Sequence, residues 1–383
     1  MSSVSIPAAA TQILRSSITF TSKLYQILAK KHGNVFFSPI TLHAALAMLY
    51  LGAQEATATI LEEVLQFPGK ASTASGYRWI LNHLRTTNET NLHIANKMYT
   101  RGKQIFLEEF SNSVQQYFNS EVENLGSRSN SEVMKQINEW DKVIDKEVLN
   151  EDTVLFLLST FYFKAPWNHN FKEDETMLHP FYLDNDEVVK VEMMRGGKRG
   201  FYKDDDKLKC QILFIPYKER RIEMGIILPW EKNGIKDLET KLATVNFADA
   251  IVKDLTEENL DVFLPKFKFE NSSDLVDSFK EMGLGILFDK KANLDGIIKT
   301  EIGVSLSVVH TYFTEVNEEG MEAEEIKARS IKKGKCRVII PLTAFVVDHS
   351  AIFLLVEGRT ENMNILYCGR LSNPSSESEK FPQ

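Results

Sequence analysis

The chain has 383 residues, a formal net charge of −8, 43% apolar residues and 26% charged residues. That balance belongs to an ordinary globular protein, long enough for two average domains or one large one. The negative charge argues against bulk attraction to nucleic acid or anionic membrane, and no apolar run approaches the length of a membrane span.

The first fourteen residues, MSSVSIPAAATQIL, are mildly apolar without a basic leader or a convincing apolar signal core. They favour a cytoplasmic protein, or an extracellular one whose signal peptide has been removed. Ser38-Pro39 is a helix-start signal, and Leu42, Ala45, Leu46 and Leu49 follow at helical spacing, continuing through Ile60, Leu61, Val64 and Leu65. Further helical patterns cover Phe106 to Phe118 and Glu132 to Lys146. At Thr153 the period changes. TVLFLLSTFYF is a continuous apolar run rich in β-branched and aromatic residues, so a fully buried strand. Ile222, Met224, Ile226 and Leu228 alternate as in a half-buried strand ending at Pro229. Val262 and Leu264 lead into Pro265 in the same way. Leu275 to Met282 is helical with Gly283 as its stop, and the last 80 residues or so are rich in strands. Helices first and strands later indicate an α+β fold with large, mostly antiparallel sheets.

Motifs for enzymatic chemistry are missing. The chain has no G-x-S-x-G elbow, phosphate loop, H-E-x-x-H or G-x-G-x-x-G, and its histidines are scattered. No catalytic residue, metal or cofactor is therefore expected. Asp204-Asp205-Asp206 fits a solvated turn better than a cation site. Lys70, Arg78 and Arg85 form at most a weak patch for a sulfated polysaccharide. The three cysteines, Cys210, Cys336 and Cys368, are odd in number and widely spaced, which fits a reducing compartment. Asn88 and Asn271 head glycosylation sequons that matter only if the chain is secreted.

The most informative segment runs from Phe313 to Lys335, FTEVNEEGMEAEEIKARSIKKGK, between two strand-like apolar runs. An acidic, glycine-hinged stretch passes into a basic one. So long a polar connection suggests a functional loop, here one that attracts trypsin-like proteases. Cys336 within it is either a reactive thiol or an inert surface cysteine.

These pieces add up to a family resemblance. NVFFSP at Asn34–Pro39, ALAMLYLGAQ, FYFKAPW at Phe161–Trp167, IPYKERRIEMGIILP, LPKFKFE, LGILF, ANLDGI, VNEEGMEAE and ILYCGRLSNP resemble serpin motifs in the family's order, over nearly the whole chain. The resemblance implies one domain, residues 1–383, with three β-sheets and about eight or nine helices. Its flexible ends would be residues 1–10 and 375–383, and an exposed reactive-centre loop would span 318–340. It implies a monomer whose partner is a target protease, serine or papain-like cysteine. The protease cuts the loop and forms an acyl-enzyme. The cut loop then inserts into the central sheet as a new strand, and serpin insertion is among the known cases of strand addition.

By the same resemblance Glu318, Glu319, Gly320, Met321, Glu322, Ala323, Glu324, Glu325, Ile326, Lys327 and Ala328 form the hinge. Ser38, Pro39, Ser159 and His310 form the shutter that controls sheet opening, and Trp167 marks the breach where insertion begins. The reactive bond lies in the window Lys333, Gly334, Lys335, Cys336, Arg337, Ile339, since counts from the two ends of the loop differ by about five residues. Gly320 suits a backbone that must change conformation.

Departures from the family pattern point the other way. Small residues usually follow the hinge glycine. Here Met321, Ala323, Glu325 and Lys327 would face inward, and a buried charge without a partner costs several kcal/mol, roughly. Ser159 replaces a usual Asn, Ala165 replaces a usual Gly, and the stretch from Trp140 to Thr153 is about eight residues short of the family norm. The alternative is therefore a non-inhibitory serpin: a substrate, carrier, chaperone or binding protein.

Overall fold

The computed structural model describes residues 6–85, 91–128, 132, 153–299, 304–321 and 343–375. Its central helix starts at Ser38, whose side chain accepts from the Thr41 N–H at 3.5 Å. Pro39 fills the first turn, where its missing N–H does no harm. Labelled in chain order, α1 (Ala8–Leu28), α2 (Pro39–Gly52), α3 (Glu55–Leu65), α4 (Lys70–Leu84) and α5 (Glu108–Phe118) make up the first half. α2 has 13 of its 14 residues buried, as befits a helix apolar on every side and packed among the other four.

The single helix expected from Leu42 to Leu65 is two. Gly296 and Ile297 lie so close over Gly52 that a Cβ there would overlap the Ile297 side chain, and the chain turns at Ala53. Three shorter helices follow, α6 (Ile235–Leu242), α7 (Phe247–Val252) and α8 (Val276–Phe279). A wide helical turn continues α8 until Gly283, which takes φ 104° and ends it as its position predicts. α1 already begins at Ala8, inside the stretch expected to be a flexible end. The expected helix at Glu132–Lys146 lies outside the described residues apart from Glu132, as does the shortened segment before Thr153.

One sheet has six strands. They are β2 (Asn91–Thr100), β3 (Glu121–Asn124), β4 (Leu155–Pro166), β10 (Phe267–Asp274), β11 (Leu306–Val316) and β12 (Gly320–Met321), in the order β10-β11-β12-β4-β2-β3. The other has nine. They are β1 (Val35–Phe37), β5 (Met177–Tyr182), β6 (Val188–Asp205), β7 (Cys210–Pro216), β8 (Ile222–Pro229), β9 (Thr256–Pro265), β13 (Thr343–Val346), β14 (Ala351–Glu357) and β15 (Asn364–Leu371). The implied third sheet is not separate among the described residues. The 18-residue β6 pairs in turn with β5, β9 and β7 and so fuses two smaller sheets into one.

The α+β reading holds, and most strand pairs are antiparallel. Two strands differ from expectation. β8 is buried at all eight positions, not half-buried, because it lies between β7 and β14. Its charged member, Glu223, is neutralised by Arg359. β4 is fully buried only through Ser159, and beyond it Thr160, Tyr162 and Lys164 are partly exposed.

Phe36, Tyr367 and Phe161 stack in one column, with centroids 5.5 and 5.4 Å apart, joining the nine-stranded sheet to the six-stranded one. Cys210 and Cys368 are buried free thiols, and burial pushes the Cys210 thiol up to about 12. Asp205 shapes a turn, its carboxylate accepting from the Lys207 and Leu208 N–H groups at 3.0 and 2.9 Å. Lys70 turns inward to the Ala53 carbonyl, away from any patch with Arg78 and Arg85. Among the described residues, no helix is long and apolar enough to cross a membrane.

Candidate functional site

β4 and β11 run parallel and pair directly, from Leu155↔Leu306 to Tyr162↔Phe313. Half-way along this seam four residues stand in one row across the sheet: Asn96 on β2, Ser159 on β4, His310 on β11 and Ser273 on β10. The row faces the start of α2. There the Ser38 N–H donates to His310 Nε2 at 2.9 Å. A backbone N–H can only donate, so Nε2 must carry the lone pair and Nδ1 the proton. Nδ1 then donates to the Ser159 carbonyl at 3.1 Å, from one seam strand to the other. Burial lowers the His310 imidazole to about 4, which keeps it in this neutral form. Ser38 Oγ donates to the Leu366 carbonyl on β15 at 2.7 Å, and Asn96 Nδ2 donates to the Thr41 carbonyl at 3.2 Å.

The structure thus brings together Ser38, Pro39, Ser159 and His310, the residues expected at a shutter. Ser159 contributes its backbone, however. Its hydroxyl and Asn96 Oδ1 are buried without hydrogen-bond partners among the described residues. On the other face of the sheet Thr160 and Thr311 share a hydrogen bond across the seam at 2.9 Å.

At one end the seam is wedged apart. β12 enters between its strands, with Gly320 opposite Pro166 and Met321 opposite both Ala165 and Val316. A Cβ on Gly320 would overlap the Ala165 carbonyl, and its φ is +153°. This glycine is required by a close approach in the resting state, not only by a later movement. Ala165 is itself fully buried beneath the wedge. Asn317 closes the turn before it, its side-chain oxygen accepting from the Glu319 and Gly320 N–H groups, both at 3.1 Å.

Trp167 buttresses this end. Its ring stacks on Tyr217 at 4.7 Å, its indole N–H donates to the Asn317 carbonyl at 3.0 Å, and its backbone N–H donates to the Glu319 carbonyl at 2.8 Å. Glu318 receives the Thr176 hydroxyl at 2.8 Å and the Lys266 ammonium at 3.3 Å. Lys198 is buried against the Phe171 ring, 3.5 Å from its centroid, and donates to the His169 carbonyl. Burial lowers its ammonium to about 7.

Glu318, Glu319, Gly320 and Met321 are therefore located. The rest of the hinge, Glu322 to Ala328, and the window Lys333 to Ile339 lie outside the described residues. Sequence reasoning missed Asn96, Lys198, Lys266 and Asn317. Lys266 sat within the quoted LPKFKFE and Asn317 within VNEEGMEAE. Asn96 and Lys198 had no local signal, since strand register brings Asn96 beside Ser159 and tertiary packing brings Lys198, from β6 of the other sheet, onto the Phe171 ring.

The comparisons agree with this geometry. The family model Serpin (serine protease inhibitor) matches residues 15–374. Serpin B6 of Pongo abelii is 32% identical over 375 residues, covering 93% of this chain and 98% of the relative. The leukocyte elastase inhibitor of Bos taurus is 30% identical over 388 residues, covering 95% and 100%. Among solved structures, Serpin48 of the insect Tenebrio molitor superposes with a TM-score of 0.82 at 26% identity, covering 94% of this chain and 98% of that one. The chain belongs to the serpin family.

Proposed function

We propose that the chain inhibits endopeptidases of the serine, trypsin-like class or the papain-like cysteine class by loop cleavage and strand insertion. The observation that carries this is the wedge. The chain leaves β12 already seated between two parallel strands, so continuing it would add an antiparallel strand to both. The basic run Lys333, Lys335, Arg337 supplies side chains that such proteases accept.

Continuing the register of β12 fixes what insertion would bury. Glu325 would fall between Phe161 and Tyr312, Lys327 between Ser159 and His310, and Arg329 between Leu157 and Val308. All three would face α2. The unpartnered Ser159 hydroxyl is an acceptor for the Lys327 ammonium, and Glu325 is one strand repeat away from pairing with it. These offset part of the desolvation cost, and Arg329 adds to it. Insertion also breaks the bonds from His310 to Ser159 and from Thr160 to Thr311. The expected inhibitor is slow.

The same charges favour a second reading, a serpin that is cut but does not trap. Incubation with trypsin and with a papain-like protease, followed over time on denaturing gels, separates the two. A complex that survives denaturant, together with a rise in melting temperature of tens of degrees after cleavage, supports insertion. Clean cleavage with full protease activity and an unchanged melting temperature sinks the inhibitory reading.

A further inference from the structure

Beside the breach, on the side away from the seam, lies a cavity of 210 Å³. Three guanidinium groups, Arg199, Arg220 and Arg359, line it with two carboxylates, Glu223 and Glu257, and the ring of Phe201. Arg199 pairs with Glu257 at 2.7 Å. Arg359 pairs with the buried Glu223 and lies 3.2 Å above the centre of the Phe201 ring. These two pairs neutralise each other. The Arg220 side chain makes no hydrogen bond or close ion pair among the described residues, although its charge reaches Glu257, and the three guanidiniums outnumber the two carboxylates of the lining by one.

That charge acts inside the cavity. The hydrogen bond from Arg199, then its charge and those of Arg220 and Arg359, hold the Glu257 carboxyl below its usual range. Glu257 is thus one anion already seated among three guanidiniums, with room left for a second. Guanidinium groups bind tetrahedral oxyanions through paired N–H donors, better than a point charge does.

We propose that this cavity binds a small tetrahedral oxyanion, phosphate or sulfate, free or as the end group of a small ester, with Arg220 as its principal ligand and Arg199 and Arg359 at its sides. The site is tied to the breach. The turn that carries Arg220 is stitched to the end of β4 by the Lys218 N–H donating to the Pro166 carbonyl at 3.0 Å. The Asn168 N–H donates to the Pro216 carbonyl at 3.3 Å, and Tyr217 supports the Trp167 ring. An anion held by Arg220 fixes this turn and opposes widening of the seam. That consequence rests on the inhibitory reading, whereas the binding does not.

The test is titration calorimetry on uncleaved protein with inorganic phosphate, pyrophosphate and sulfate, at constant ionic strength set with chloride. One saturable site is expected, weakened about tenfold or more in Arg220→Ala, since losing one charge-assisted contact is worth that much. Arg78→Ala, on α4 and not among the residues that line the cavity, should bind as the wild type does. Arg220 is exposed and makes no hydrogen bond or close ion pair among the described residues, so its variant should melt near the wild-type temperature without anion, which checks its folding. The proposal is overturned by heats that never saturate, by equal binding in Arg220→Ala, or by equal weakening in both variants. Whether phosphate or sulfate binds more tightly identifies the source. Inhibition rates with and without the anion then test the coupling separately: binding without any inhibitory complex would leave the anion site standing and remove only the protease reading.

Discussion

The two sheets are closed in different ways. In the nine-stranded sheet most neighbours are antiparallel, and several, such as β6–β7, β7–β8 and β14–β15, are joined by short turns. A strand cannot enter between such neighbours without undoing a hairpin. In the six-stranded sheet, β4 and β11 are parallel partners 151 residues apart in sequence, as in the pair Ser159↔His310. No short connection ties them. Their ladder, of the slightly weaker parallel kind, is reinforced by one histidine and one threonine pair. The place where the proposed mechanism would add a strand is the place where the topology leaves two strands unlinked.

The largest expected effect comes from removing the histidine that locks the seam. His310→Ala leaves the Ser38 N–H buried without its acceptor, removes the bond from the imidazole to the Ser159 carbonyl and opens a cavity, which should cost about 3–5 kcal/mol in denaturant unfolding. A stability within about 1 kcal/mol of the wild type would show that the seam does not depend on this lock.

Acid tests the same contact with no mutation. The His310 imidazole is held at about 4 against an ordinary 6.5. A lowered folded value means that its contribution is complete above pH 6.5 and is lost as pH falls through about 4. The loss approaches roughly 3 kcal/mol, at about 1.4 kcal/mol per pH unit. His43, lowered to about 3 by burial, titrates in the same sense. The informative comparison is therefore His310→Asn, whose stability should depend less steeply on pH than the wild type's between pH 6.5 and 4. Identical slopes would refute the assignment of the neutral tautomer.

Gly320→Val sharpens the comparison at the wedged end. The added side chain has no room beside Ala165, so β12 should be expelled from the seam. Because only two residues are displaced, the cost should stay near 1–3 kcal/mol, with faster proteolysis after Met321. An unchanged digestion pattern would contradict a wedge that depends on close approach.

The double change Glu325→Ala and Lys327→Thr removes two charges from the segment that the proposed mechanism would insert. Inhibition should speed up, with fewer inhibitor molecules consumed per protease trapped. No gain in rate or stoichiometry would remove buried charge as the obstacle. Ser159→Ala should have the smallest effect, within about 0.5 kcal/mol, because the hydroxyl it deletes is unpaired. A large loss there would mean that this oxygen has a partner after all.

Much of the fold was legible in the sequence, and the reasons are local. Ser38-Pro39 starts α2 because a side-chain cap and a prolyl first turn act within four residues. Gly283 stops a helix by taking a positive φ. The strands of the second half declared themselves by β-branched and aromatic runs. The errors arose where a neighbour decided. The break after Gly52 is made by Ile297, the burial of β8 by strands on both sides of it, and the loss of a separate third sheet by the partners that β6 meets along its length.

The candidate site divides in the same way. Family-specific motifs located Ser38, Trp167 and Gly320, because each sits in a stretch whose residues resemble the serpin pattern in order, whereas His310 lies outside those stretches and came only as what the resemblance implies. They did not reveal that Ser159 works through its carbonyl, that Asn96 shares its row, or that Lys198 lies buried on Phe171. Helix starts, stops and apolar periods follow from steric and hydrogen-bonding rules acting over a few residues, so the sequence alone determined them. The row across the seam, the room denied to a Cβ at Gly320 and the three guanidiniums around one cavity depend on strand register between segments far apart in the chain. Register is set by how whole faces pack together, and only the tertiary structure decided it.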